Sequence, residues 1–431
     1  MNQVINSKKL FFASCIALVV TAMSFGLRAG FLSAWTSEFQ LTNEQVGWIG
    51  STAFFGFTLS MIIGGPLCDM IGMKKIIVIA FIGHLAGIVL TMLSKSYWPL
   101  FFSTLLVGVA NGMVEAACNP LVTSLFPNEK VKMLNRFHVW FPGGIVIGGL
   151  VGYFLGKAGI AWQIQLITMI IPTLIYGFLF LKETFPLTER VSAGISSQEM
   201  YKSSMGGIMV VVGLLLLFAI FYFQIVSTQV AMILFALMAL ILVIQLPFAK
   251  ALFPFMVFCM FITAASELGT GQLIEGLLKG NATAPILVLV FINGLMMIGR
   301  TFAGEIVHKI SAAGMLLFSA VFTTLGLLWL SSATGYTSFA AAFVFALGVC
   351  FFWPTMLGFV SENLPKTGAL GMSIMGGAGM LSVSLVLPIL GKSLDNTSGS
   401  ETLRFYAILP AFLIVAFAVL FLWSRKRKIS S

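Results

Sequence analysis

Apolar runs of membrane-spanning length recur along the chain at 10–35, 44–66, 75–94, 98–120, 133–156 and 162–181. A polar stretch from Lys182 to Ser204 then breaks the pattern with Glu183, Glu189, Arg190, Glu199 and Lys202. Two further runs, 206–224 and 228–248, are separated by a short turn, and six more follow at 251–277, 283–304, 312–330, 336–357, 367–391 and 403–424. A run of about 20 apolar residues is what a helix needs to cross a bilayer. The pattern therefore predicts six spans, an inserted pair and six more.

Composition agrees. Of 431 residues, 59% are hydrophobic and 9% charged, where a soluble domain carries about 25% charged. Mean hydropathy is +1.04. The first run is long enough to span and has no small-residue cleavage site after it, so it is expected to stay as a helix. Five cysteines, Cys15, Cys68, Cys118, Cys259 and Cys350, lie in apolar runs without CxxC spacing and predict inert core thiols. A net charge of +10 suits a membrane protein's cytoplasmic loops better than a nucleic-acid partner. With the N-terminus placed inside, 18 Lys and Arg fall on the cytoplasmic side and 5 outside, with Arg28 left in the first span. That asymmetry predicts cytoplasmic N- and C-termini and an even span count, twelve or fourteen.

The two six-helix blocks echo each other. Gly65-Pro-Leu-Cys-Asp69 matches Gly304-Glu-Ile-Val-His308; Asn119-Pro120 matches Trp353-Pro354; Gly143-Gly144 and Gly156-Lys157 match Gly376-Gly377 and Gly391-Lys392. A duplicated unit with a site at its interface is a transporter architecture. The expected fold is all-α and polytopic: an N-terminal half over 1–181, a central loop over 182–204, an extra hairpin over 205–250, and a C-terminal half with a basic tail over 251–431.

The chemistry concentrates in Asn111-Gly-Met-Val-Glu115-Ala-Ala-Cys-Asn119-Pro120. Asn111, Glu115 and Asn119 are spaced i, i+4, i+8 and stack along one helix face. A carboxylate at membrane depth costs roughly 2.5 kcal/mol or more, so it is expected to face a bundle interior or a watery cavity. Arg28, between Gly26 and Gly30, is a candidate for the same cavity or an ion-pair partner of Glu115. His138 and Trp140 open the fifth span; a histidine there can relay protons or bond hydroxyls. Glu267 and Gln272 lie in a glycine-interrupted polar stretch, a pointer to a binding site. Asn293 and Trp353 are further candidates, the indole for stacking on a sugar ring. His84 is read as core. Arg300 and Glu305 are placed near the cytoplasmic end, as gate or loop-lock residues.

Gly65-x-Leu67-x-Asp69-x-x-Gly72-x-Lys74-Lys75 resembles the loop signature of the major facilitator superfamily, in which the Asp pairs with neighbouring helix ends. Within it, Glu115-Ala-x-x-Asn119-Pro120, Leu134-Asn135, Glu267-x-Gly269 and Phe352-Trp353-Pro354 resemble the fucose-permease-like sugar transporters. The resemblance implies two six-helix halves, alternating access and a proton-coupling glutamate at Glu115. It also leads one to expect a second acid in the first span, where this chain has Arg28. The residues together predict a secondary transporter bringing a neutral sugar across the inner membrane with H+ (or Na+). Arg28, Asn111, Asn119, His138, Glu267, Gln272, Asn293 and Trp353 are its substrate-binding candidates. Gly65, Asp69, Gly72, Lys74, Lys75, Arg300 and His308 are the gating set. The bilayer is a partner, and a monomer without metal or cofactor is expected. An exporter of amphipathic drugs or lipids would want a greasier cavity, and a membrane sensor a larger soluble domain. Three histidines and no nucleophile set leave little for an enzyme.

Overall fold

The computed structural model describes residues 5–429 apart from 42, 223–224, 226, 246–250, 279, 281, 283–284 and 303–308. His308, Gly304 and Glu305 of the expected repeat and gate fall outside the described residues.

Fourteen apolar helices appear among the described residues, in the predicted order. The first six are α1 (Ser7–Phe39), α2 (Asn43–Ile71), α3 (Met73–Met92), α4 (Tyr97–Leu125), α5 (Lys130–Lys157, in two segments joined at Val139) and α6 (Trp162–Leu181). The inserted pair is α7 (Ser197–Tyr222) and α8 (Thr228–Gln245). The last six are α9 (Leu252–Gln272), α10 (Pro285–Thr301), α11 (Ala312–Leu330), α12 (Thr337–Asn363), α13 (Pro365–Leu394) and α14 (Gly399–Arg425). Twelve of the fourteen are long and apolar enough to cross a membrane; α8 and α10 are shorter apolar helices. This is a multi-pass membrane protein. The seventh helix starts nine residues earlier than its apolar run (206 against 197), because Ser196 Oγ accepts the Glu199 N–H and caps a polar first turn.

Close backbone approach rather than hydrophobic contrast holds such a bundle. A Cβ on Gly108 or Gly112 of α4 would strike the backbone of α2 at Ala53 or Phe57. Gly144 and Gly148 of α5 stand likewise against α1. The halves meet along two pairs related by the duplication, α2 with α13 and α5 with α10. The inserted hairpin packs outside the C-terminal half, α7 against Pro254 and Phe253 and α8 through Phe235 on Phe258.

Each proline inside a helix removes the N–H that would bond the carbonyl four residues back. In this fold four of the freed carbonyls are taken up by side chains of other helices. Cys68 Sγ donates to Ala116 O, freed by Pro120, at 3.4 Å, and Ser51 Oγ to Ser384 O, freed by Pro388, at 3.2 Å. Two more such carbonyls, on His138 and Cys350, converge on the site described next.

Candidate functional site

On α4 the spacing of four residues overshoots a 3.6-residue turn by about 40° per step, so the stripe turns about 80° from Asn111 to Asn119. The three side chains consequently meet different neighbours. Asn111 Oδ1 bonds His84 Nε2 at 2.8 Å and its amide donates to Ser24 Oγ at 2.9 Å; His84 Nδ1 meets the Tyr176 hydroxyl at 2.9 Å. This network ties α1, α3, α4 and α6 and engages both the Oδ1 and the Nδ2 of Asn111 with partners in the N-terminal half. Asn111, expected to bind sugar, is aimed by the helical drift at partners within its own half.

Glu115 is fully buried. Its Oε2 accepts from Asn119 Nδ2 at 3.3 Å, while Oε1 has no partner among the described residues. Trp353 Nε1, also unpartnered, approaches the carboxyl from the other half without completing a hydrogen bond. The indole is seated by Gly379 and Gly376 of α13, where a Cβ would meet the ring. Asn119 Oδ1 continues the chain to His138 Nε2 at 3.0 Å.

Arg300 is the centre of the second part. Pro142 frees the His138 carbonyl in α5, and Pro354 frees the Cys350 carbonyl in α12. Arg300 Nη1 donates to the first at 2.9 Å and Nε to the second at 2.6 Å. Its Nη2 forms a 3.2 Å ion pair with Glu267 Oε1, and the guanidinium also acts on the Glu115 carboxyl. Arg300, expected near the cytoplasmic end as a gate or loop-lock residue, is 1% exposed and bonds both halves inside the bundle. The long side chain and the two orphaned carbonyls draw it there.

Glu267 sits on a π-helical turn, Ala265–Gly269; such turns often mark functional sites. Tyr406 Oη donates to the Ala265 carbonyl at 2.6 Å and stabilises the turn. Glu267, Gln272 and Asn293 line one cavity with Phe25 and Ile145, about 20 Å³ in volume, room for a water or so but not a sugar ring. Asn293 donates back to Leu289 O. Arg28 is apart from Glu115: its Nη2 donates to Gln272 Oε1 at 3.3 Å, and its guanidinium lies over Phe25 and Phe54 at 4.9 and 5.4 Å. The ion pair of Arg28 with Glu115, one sequence alternative, is not formed.

At the face that carries the 182–204 loop, the glycine-rich motif has concrete duties. Gly65 lets α2 approach Ser373 and Ala369 of the other half. Gly72 turns the chain into α3 at φ +89°, a left-handed conformation that favours glycine. Asp69 lies in the last turn of α2, where the helix dipole opposes an acid. Arg190 of the loop answers it at 2.6 Å, and Thr188 donates to its other oxygen. Lys74 Nζ donates to the Glu183 carbonyl at 3.0 Å; Lys75 is exposed. The loop is pinned further by Lys9–Glu183, Lys130–Glu189 and Lys366–Glu199. Arg190 passes under Gly368, whose φ of +57° and lack of a Cβ both serve the crossing. The loop is thus a strap across both halves, and sequence reading singled out neither Arg190 nor Thr188 as its clasp.

We expect Asp69→Asn to strip the buried Arg190 of its counter-ion, at a cost of about 3–5 kcal/mol to the strapped state. A cysteine placed at Ser361 beneath the strap, in a background lacking the five native cysteines, then reacts faster with a water-soluble maleimide. Unchanged reactivity would mean that the strap does not hold this face shut.

Two six-helix halves clasped around a buried, partly unsatisfied polar cluster define a membrane carrier rather than an enzyme. A family model described as the Major Facilitator Superfamily matches residues 14–297, and the chain belongs to that superfamily. It is similar to the galactose-proton symporter of Escherichia coli strain K12, 28% identical over 187 residues, 42% of this chain and 40% of that protein. The matched stretches span 29–46% of the length of the first curated relatives. The fold is similar to the E. coli fucose:proton symporter FucP, with a TM-score of 0.64 and 15% identity over 97% of this chain and 98% of that chain. It is also similar to the E. coli xylose transporter XylE in a partially occluded inward-open conformation, with a TM-score of 0.70 and 13% identity over 97% of both. At these identities the solved structures speak to the fold alone.

Proposed function

We propose that the chain is a proton-coupled sugar transporter of the inner membrane, taking up its substrate by alternating access between the 1–181 and 251–431 halves. Both termini and the strap lie in the cytoplasm on this reading, in keeping with the 18-to-5 division of Lys and Arg. One observation carries the proposal. Glu115 Oε1, Glu267 Oε2 and Trp353 Nε1 are buried without a hydrogen-bond partner among the described residues, all around the cluster where the halves meet. Buried polar groups are normally satisfied, and a ligand rich in hydroxyls supplies both donors and acceptors for two carboxylates and an indole. Glu115 is the proton-linked acid; Asn119, His138, Gln272 and Asn293 surround the substrate. The sequence-based expectation of a neutral sugar rests on these amides and carboxylates.

The cluster is closed on both sides, by the strap on one face and by the Ser51–Ser384 and Arg28–Gln272 contacts towards the other. Transport requires each closure to open in turn. Counterflow of radiolabelled hexoses in proteoliposomes tests the reading: saturable exchange is expected, and a complete hexose, pentose and uronate panel without exchange would reject it.

A further inference from the structure

The buried charges do not balance in the way a neutral sugar needs. Arg300 is neutralised by Glu267. Arg28 is only 5% exposed, yet it forms no ion pair among the described residues. A guanidinium has five N–H donors, and among the described residues one is engaged, in a bond of 3.3 Å to a neutral amide oxygen. The faces of Phe25 and Phe54 hold the cation in place; such contacts position a charge but do not neutralise it. A charge inside a membrane protein is normally paired. Arg28 is therefore cationic binding capacity: it lines a cavity of about 30 Å³ with Ser24, Phe31 and Trp35, and its bond to Gln272 joins that space to the cavity Gln272 shares with Glu267 and Asn293.

We propose that the substrate is a sugar acid carrying one carboxylate, a uronate or aldonate, and that Arg28 binds that carboxylate, displacing the Gln272 carbonyl. This rests on the sugar-transport reading above and replaces the neutral sugar expected from the sequence with a monoanion. The forked guanidinium matches a carboxylate in two parallel N–H···O bonds, and the freed Gln272 amide becomes available to a neighbouring hydroxyl. Charge counting favours one negative charge. Arg28, Arg300, Glu115 and Glu267 sum to zero when Glu115 is ionised and to plus one when it holds a proton. A monoanion then returns the sum to zero, whereas a neutral sugar leaves a bare charge in a low-dielectric site and a phosphate dianion overshoots. Proton and sugar acid thus enter the occluded state together, which gives the coupling an electrostatic basis in this chain's own residues.

The test is binding by isothermal titration to purified protein in a detergent without a sugar headgroup. The ligands are matched pairs, D-galactose with D-galacturonate and D-glucose with D-glucuronate, with glucose 6-phosphate alongside. A uronate is expected to bind more tightly than its neutral partner. Arg28→Gln is expected to weaken uronate binding by about tenfold to hundredfold while leaving weak neutral-sugar binding in place. Arg28→Lys, which keeps the charge and loses the fork, falls between, and carries the test if Arg28→Gln cannot be purified. A neutral hexose binding as tightly as its uronate, uronate affinity unchanged in the Arg28 variants, or tighter binding of the phosphate each overturns the inference while leaving sugar transport intact. Binding of no ligand in the panel removes both.

Discussion

Arg300→Gln is expected to abolish transport and to lower the melting temperature more than any other single change in the site. The variant leaves the Glu267 carboxylate buried without its cation, and breaking one partner of a buried pair costs about 3–5 kcal/mol. It also orphans the His138 and Cys350 carbonyls, each of which adds about 1–3 kcal/mol when left unpaired away from water. The His138 carbonyl belongs to the N-terminal half, while Cys350 and Glu267 belong to the C-terminal half. Separation of the halves at this level must therefore break the His138 bond, and the guanidinium registers whether they are closed. Arg300→Lys is expected to fail as well, because a single ammonium cannot reach two carbonyls and a carboxylate in the geometry of a planar fork. Arg300→Gln combined with Glu267→Gln should recover much of the melting temperature without recovering transport. Thermal unfolding of the parent, Arg300→Gln, Glu267→Gln and the double variant forms a double-mutant cycle, with a coupling of about 0.5–3 kcal/mol expected between the two sites. A single Arg300→Gln variant that melts and transports like the parent would remove Arg300 from the mechanism.

The unequal legibility of this site has physical causes. Glu115, Asn119 and the glycine-rich loop were readable because their meaning is local: a charge in an apolar run, amides at helical spacing, and a turn that needs positive φ at Gly72. The fourteen helices were readable because the bilayer imposes their length. For the opposite reason, the partners of Arg300, expected only as a gate or loop-lock residue, were not legible. Its position along α10 says where its Cα lies, but its guanidinium travels the length of a flexible side chain to carbonyls on two other helices. Pro142 and Pro354 each announce a free carbonyl four residues upstream, at His138 and Cys350; only tertiary packing reveals that one arginine answers both. The network around Asn111 was not legible because an i+4 ladder drifts round the helix, and His84 and Tyr176 lie on other helices. The π-turn beneath Glu267 left only the faint sign of glycines at 269 and 271. Arg190 and Asp69 are 121 residues apart, and no periodicity connects a loop arginine to a helix-terminal acid.

Glu115→Gln is expected to separate exchange from accumulation. The substitution keeps shape and an acceptor for the Asn119 amide, so the packing beside Trp353 and the network to His138 survive, and counterflow down a sugar gradient continues. A permanently neutral side chain cannot take up and release a proton, so a pH gradient no longer drives uptake. With the membrane potential clamped and one proton per substrate, a one-unit gradient stores about 1.4 kcal/mol, enough for roughly tenfold accumulation by the parent; the variant should level off near equal concentrations. Substrate-induced alkalinisation of a lightly buffered medium should disappear with it. The other outcomes are equally informative. Accumulation driven by a Na+ gradient in the parent would assign Glu115 to a different ion. Undiminished pH-driven uptake by Glu115→Gln would move the proton to Glu267, the other buried carboxyl with a free oxygen among the described residues. Loss of counterflow together with accumulation would mean that Glu115 binds substrate directly. Under the charge count that includes Arg28, the uncharged amide of Glu115→Gln fixes the cluster at plus one, so a uronate should bind the variant at least as tightly as the parent. That opposite movement of binding and accumulation is what an electrostatic coupling through Glu115 requires, and a purely structural role for the residue would not produce it.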